Sequence, residues 1–269
     1  MNLYRSDLVG FAATARGKAH VRAERACQDA HAVLIGDASA IAVCDGCSGG
    51  ARSELGAGVG ARFVVAACVR ALRAGTPLDD VPARAIDELT AELGRIASAL
   101  AIDGGDACER ARIVEEHLLF TVQAAVIVRD ECVVFGVGDG VVAIDGVVRA
   151  IDDGAAPDYP AYALFPAMRA PRLVVHHRGA FASSIVVGSD GARELLDAAH
   201  VPLRDGTALG GVDAFVRDER FVRNPSLAQK RFHAWCASEG GGPVDDCTVA
   251  VVRRTRAAAT VGEQPWEVA

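Results

Sequence analysis

Lysine is almost missing from this 269-residue chain: Lys18 and Lys230 are the only two among 28 basic residues, and the rest are arginine. Together with abundant alanine, that skew reads as codon bias rather than function. The 35 acidic residues outnumber the basic ones and leave a net charge of −7. This argues against nucleic acid as a general partner, because a polyphosphate calls for a positive field. No apolar stretch approaches the length that spans a bilayer, and the opening Met1-Asn2-Leu3-Tyr4-Arg5-Ser6-Asp7 lacks a signal-peptide apolar core. The expectation is a cytoplasmic protein with no membrane partner. Clustered histidines are lacking, which points away from zinc. There is no internal repeat, and the eight cysteines are not spaced as a small disulfide framework, so reduced thiols are expected.

What the chain does have is three aspartates that each stand at the end of an apolar run. They are Asp45 in Ala42-Val43-Cys44-Asp45-Gly46, Asp190 in Val187-Gly188-Ser189-Asp190-Gly191, and Asp245 in Pro243-Val244-Asp245-Asp246-Cys247-Thr248. A strand end is a rigid platform, and glycine directly after the first two removes a Cβ where backbone and ligand approach. Carboxylates without histidine suit hard cations, Mg²⁺ or Mn²⁺.

The periodicity predicts alternating strands and helices. Two strands at 32–35 and 40–44 precede a long helix over 53–73, whose apolar positions Leu55, Val59, Phe63, Ala66, Val69 and Leu72 share one helical face. Gly56, Gly58 and Gly60 would weaken an isolated helix and are read as allowing close packing on a sheet. A helix over about 81–100 leads to a Gly/Asp loop at 102–109. Four strands follow at 120–128, 132–137, 141–144 and 147–151, with Asp145-Gly146 as a hairpin turn, so this region is antiparallel. Residues 152–170 form an irregular excursion of the length of a flap over a site. Strands at 173–176, 184–188 and 248–253 and helices at about 192–199, 212–217 and 226–238 complete the reading. The expected division is a domain over residues 1–254 and a flexible C-terminal tail over 255–269.

In chain order, Cys27-Gln28-Asp29-Ala30-His31, Asp45-Gly46-Cys47-Ser48-Gly49-Gly50, Gly138-Asp139-Gly140, Ser189-Asp190-Gly191 and Asp245-Asp246-Cys247-Thr248 resemble the metal-dependent serine/threonine protein phosphatases of type 2C, the PPM family. The similarity is to a bacterial branch with Cys-Gln-Asp as its first motif and runs from about Gly10 to Arg253. It implies an α+β fold, a four-layer α-β-β-α sandwich of two antiparallel sheets flanked by helices, with two Mn²⁺ or Mg²⁺ ions at one edge. It further implies that Asp45 bridges both ions, that the Gly46 carbonyl completes one shell, that Asp190 and Asp245 hold the second ion, and that Asp29 reaches the other largely through water. Gly138-Asp139-Gly140 is implied to be a structural turn under the sheet. The substrate would be a phosphorylated protein, with a cognate serine/threonine kinase as its source. The chemistry agrees: phosphate-ester hydrolysis needs a nucleophile at neutral pH and neutralised phosphoryl charge, and two divalent ions supply both.

The pattern departs from the family in several places. Arg22 and Arg25 lie on the segment that carries the family's phosphate-binding arginine, and the spacing fits neither cleanly. Gln28 replaces a glutamate, and Cys47 replaces a histidine. Asp106, Glu115 and Glu116 are candidates for a third metal. Asp246 is a solvated or strand-capping neighbour of Asp245, or the true ligand in its place. Two rivals stand beside active hydrolysis: a regulatory protein of the same fold without turnover, and a redox or zinc module built on Cys44 and Cys47. The register also gathers Cys27, Cys44, Cys47 and Cys247 near the metals, as peroxide- or zinc-sensitive thiolates or as four buried, inert thiols.

Overall fold

The computed structural model describes residues 7–102, 105–152, 156–181 and 183–255; the expected tail, apart from Thr255, lies outside them. Ten strands are present among the described residues: β1 Leu8–Ala15, β2 Asp29–Leu34, β3 Ala38–Asp45, β4 Val122–Val128, β5 Glu131–Val137, β6 Gly140–Ile144, β7 Val147–Ile151, β8 Leu173–Ala180, β9 Ser184–Gly188 and β10 Cys247–Arg254. They form two five-stranded sheets, β1-β10-β9-β6-β7 and β2-β3-β4-β5-β8, antiparallel at every pairing. The helices are α1 Lys18–Arg22, α2 Ser53–Arg73, α3 Val81–Leu100, α4 Ala107–His117, α5 Glu194–Asp197, α6 Gly211–Arg217, α7 Glu219–Arg223 and α8 Leu227–Cys236.

The period-2 geometry of the central strands explains the layering. On β3, Ile41 and Val43 enter a core between the two sheets, while Ala40, Ala42 and Cys44 face a second core under α2 and α3. On β10, Ala250 and Val252 share the inter-sheet core, and Val249 and Val251 face a third core capped by α6 and α8. Strands buried on both faces read as continuous apolar runs, and three stacked cores make the expected four layers. The Asp145-Gly146 hairpin is also present. Both residues have positive φ, 50° and 84°, as a two-residue type I′ turn requires.

Three expectations change. On α2 the buried face is the small-residue one, including Ala57, Ala61, Val64 and Cys68, whereas Leu55 and Val59 are exposed. The sheet beneath offers alanines, and small residues let helix and sheet backbones approach. A Cβ on Gly60 would stand 2.4 Å from the Phe120 ring and one on Gly56 2.3 Å from the His117 carbonyl, while Gly58 faces open space. The same helix is long and apolar enough to cross a membrane, against the expectation that no stretch comes near it, but it packs on β2, β3 and α3. Finally, β1, α1, α4 and α7 were not anticipated. The start of α4 has a local cause: the Asp106 side chain accepts from Glu109 N at 2.8 Å, an N-cap.

Candidate metal centre

The acidic residues meet at one edge of the sandwich because two strand pairs end there. Asp29 and Asp45 are direct cross-strand partners on β2 and β3, so their side chains lie on one face. From the other sheet, Asp190 follows β9 and Asp245 precedes β10. The two turns are tied together: Ser189 N donates to the Thr248 carbonyl and Thr248 N to Ser189 Oγ, each at 3.0 Å. Gly191 allows that approach, since a Cβ there would fall 2.0 Å from the Asp246 carbonyl oxygen. The glycine after Asp190 therefore serves backbone packing rather than ligand access. Glu194 fixes the other turn, accepting from Val244 N and Asp245 N at 2.8 and 3.1 Å.

These turns enclose a cavity of about 260 Å³ lined by Asp45, Gly46, Asp139, Asp190 and Asp245, with Pro157 and Tyr159 of the irregular excursion on its wall. Asp139 stands in the expected turn, between β5 and β6, and that turn brings it to the cavity wall. Asp29 lies behind Asp45, 8 % exposed. The Ser189 and Thr248 hydroxyls lie near enough to favour its charged form, but neither carboxylate oxygen has an aligned hydrogen-bond partner.

Crowded carboxylates with little water around them resist ionisation. Burial, then the charges of Asp29 and Asp190, hold Asp45 well above the ordinary carboxylate range. Burial chiefly lifts Asp29 to about 7 and raises Asp245 as well. A divalent cation reverses this penalty, because it favours the charged form of each carboxylate around it. Orphaned buried oxygens, an all-oxygen donor set and mutual repulsion therefore fit Mn²⁺ or Mg²⁺. The carboxylates are spread along the cavity rather than gathered at one point. Among the described residues only His20, Asp245 and Asp246 form a group of three whose ligand atoms all lie within 4.8 Å of one another.

The family model for Protein phosphatase 2C matches residues 16–222. The chain belongs to the protein phosphatase 2C family. The fold is similar to the catalytic domain of the serine/threonine protein phosphatase PstP in complex with two manganese ions (20% identity, TM-score 0.50, covering 91% of this chain and 97% of that one). It is also similar to the serine/threonine phosphatase Stp1 from Staphylococcus aureus (14% identity, TM-score 0.51, covering 91% and 94%). No curated protein matches the sequence. The phosphatases of this family use two Mn²⁺ or Mg²⁺ ions and act on phosphoproteins.

Within this phosphatase fold the expected arginines are elsewhere. Arg22 is exposed and does not line the cavity. Arg25 donates to the Ser48 carbonyl at 2.7 Å and the Gly50 carbonyl at 2.5 Å, bracing the loop after Asp45 from outside. Spacing along the chain could not reveal this, because the backbone turns between α1 and β2. Gln28 is likewise turned away, donating to Ser53 Oγ at 2.6 Å. Of the third-metal candidates, Asp106 caps α4, Glu116 pairs with Arg112 and Glu115 is exposed on α4; none lines the cavity.

The thiols divide. Cys44 and Cys247 are fully buried and burial drives both well up. Burial, then the charges of Asp29 and Asp246, raises Cys27. Burial thus favours thiol over thiolate at these three, and Cys47 alone of the eight lines the cavity. With Cys44 in the core, nine residues before α2 starts at Ser53, the Cys-x-x-Cys lacks the helix N-terminus that a redox pair uses.

Asp246 is not solvated: it is 3 % exposed and accepts from Gly17 N at 2.7 Å and Gln28 N at 2.6 Å, with His20 Nδ1 2.7 Å away. It clamps the α1 segment to the start of β10. Asp245→Asn is therefore expected to weaken Mn²⁺ binding about tenfold or more, while Asp246→Asn leaves it nearly unchanged and lowers stability by about 2–3 kcal/mol through lost charge-assisted bonds. Calorimetric Mn²⁺ titration beside thermal melts checks this, and the opposite pattern would move the ligand to Asp246.

Proposed function

We propose that this chain is an active protein phosphatase that hydrolyses phosphoserine and phosphothreonine, with residues 1–254 as the catalytic unit. The observation that carries the reading is the convergence of Asp45, Asp139, Asp190 and Asp245 on one cavity with Asp29 behind them. In this reading Asp45 would be the carboxylate shared by two ions, the Gly46 carbonyl and, through water, Asp29 would serve one of them, and Asp190 and Asp245 would hold the other. Bound there, the ions would supply a nucleophile from water at neutral pH and neutralise phosphoryl charge.

The rest is done by the protein. Thr121 N donates to the Asp45 carbonyl at 2.8 Å and Glu194 holds the Asp245 backbone, so both carboxylates are presented from fixed positions. Asp158, which accepts from Arg169 Nη2 at 2.9 Å and Arg172 N at 3.0 Å, anchors the excursion that brings Pro157 and Tyr159 to the cavity wall. No side chain is needed as a covalent nucleophile. A cytoplasmic location and a cognate serine/threonine kinase belong to the same proposal. A same-fold regulator without turnover is disfavoured because the full acidic set is retained.

Titrating Mn²⁺ and Mg²⁺ against hydrolysis of p-nitrophenyl phosphate and of a phosphothreonine peptide tests the proposal. Metal-dependent turnover of both, abolished by chelator, is expected. Hydrolysis of neither at any metal concentration would favour the regulator.

A further inference from the structure

The cavity holds a surplus of negative charge, yet its substrate carries a dianion. No arginine or lysine lines it among the described residues; the one basic side chain there is His20. His20 is not there by accident of a loose loop. Lys18 N donates to the Pro243 carbonyl and Ala19 N to the Val244 carbonyl, each at 3.0 Å, so the first turn of α1 is docked on the turn that leads into Asp245. The ring is 7 % exposed, and Asp246 Oδ2 lies 2.7 Å from Nδ1, a close contact without hydrogen-bond alignment. Asp246 is itself fixed by two backbone N–H groups. A carboxylate against one ring nitrogen sets the ring's orientation and leaves Nε2 as the nitrogen available to the cavity.

The geometry points to His20 as the side chain that binds the substrate's phosphoryl group, donating Nε2–H to a phosphoryl oxygen in place of an arginine fork. The inference rests on the phosphatase reading above and adds a substrate-contacting residue to it. A single imidazole donor forms one hydrogen bond where a guanidinium forms two, so phosphate should be held more weakly and with less orientation than by an arginine. With Nδ1–H facing the Asp246 carboxylate, the ring has an Nε2–H to donate as the imidazolium. Asp246 acts here through His20, as a positioning residue.

The test is calorimetric titration of inorganic phosphate into Mn²⁺-saturated protein, beside titration of Mn²⁺ itself. His20→Ala is expected to weaken phosphate binding about 10- to 100-fold, the range of one hydrogen bond to a charged group, with Mn²⁺ affinity within about twofold of wild type. His20→Gln, which keeps a donor near the same place, should recover part of the loss, and imidazole added to His20→Ala should recover part as well. Asp246 retains its two backbone donors in these variants, and thermal melts confirm that they fold.

Equal phosphate affinity in wild type and His20→Ala would overturn the inference. So would a loss confined to Mn²⁺ affinity, which would make His20 a metal ligand instead. If the wild type hydrolyses phosphate esters and His20→Ala binds phosphate as well as it does, only this inference falls. If the wild type neither binds phosphate nor hydrolyses an ester, the phosphatase reading falls with it.

Discussion

Asp45→Asn should abolish metal-stimulated phosphate-ester hydrolysis, a loss of at least about three orders of magnitude, or roughly 4 kcal/mol of transition-state stabilisation. The same variant should be at least as thermally stable as wild type in chelator. Both follow from one property: Asp45 has little water around it and faces Asp29 and Asp190, so its charge is unfavourable in the fold until a cation compensates it. Asparagine keeps the shape and removes the charge. Mn²⁺ should therefore raise the melting temperature of wild type and raise that of Asp45→Asn far less. A variant with near wild-type, metal-stimulated turnover would remove the bridging role, and a variant that melts well below wild type in chelator would show that Asp45 is needed by the fold itself.

The second large effect is on stability against pH. Asp29 has an ordinary value of 3.8 and is lifted to about 7 in the fold, chiefly by burial. The folded state therefore holds a proton that the unfolded chain releases between those values, and stability falls as pH rises. The contribution is fully present below 3.8 and is lost as pH passes about 7, an effect of about 4 kcal/mol and roughly 10 °C in melting temperature. Asp45 and Asp245, raised from the same cause, push the same way. Saturating Mn²⁺ should reverse the slope, because the ion competes with protons for these carboxylates. Melting curves from pH 5 to 8, in chelator and in Mn²⁺, read this directly. A chelator curve that stays flat or climbs across that range would contradict it, and Asp29→Asn should remove part of the slope.

The sequence was most legible where cause and effect are close in the chain. Asp-Gly after an apolar run marks a strand end and a turn, and Asp145-Gly146 marks a hairpin, because the backbone requirement is met by the residues that impose it. By themselves, the ordered motifs around Asp29, Asp45, Asp139, Asp190 and Asp245 determined the family and with it the four-layer sandwich. Helical periodicity was enough for the existence and bounds of α2 and α3, Ser53–Arg73 and Val81–Leu100, but not for which face of α2 is buried.

Other features depended on partners far away in sequence. Which side of α2 is buried was decided by the alanine face of β3 and by Phe120, not by the larger side chains of the helix. Asp139 lines the cavity because β6 pairs with β9, and Arg25 leaves it because its guanidinium meets the carbonyls of Ser48 and Gly50. Asp246 is a buried clamp through Gly17 and Gln28, 229 and 218 residues away, and the same clamp carries His20 to the cavity. Strand-end aspartates are local facts that a sequence states outright. The side chains that share their cavity are fixed by long-range register and loop docking, whose energies come from contacts that exist only once the two sheets have closed.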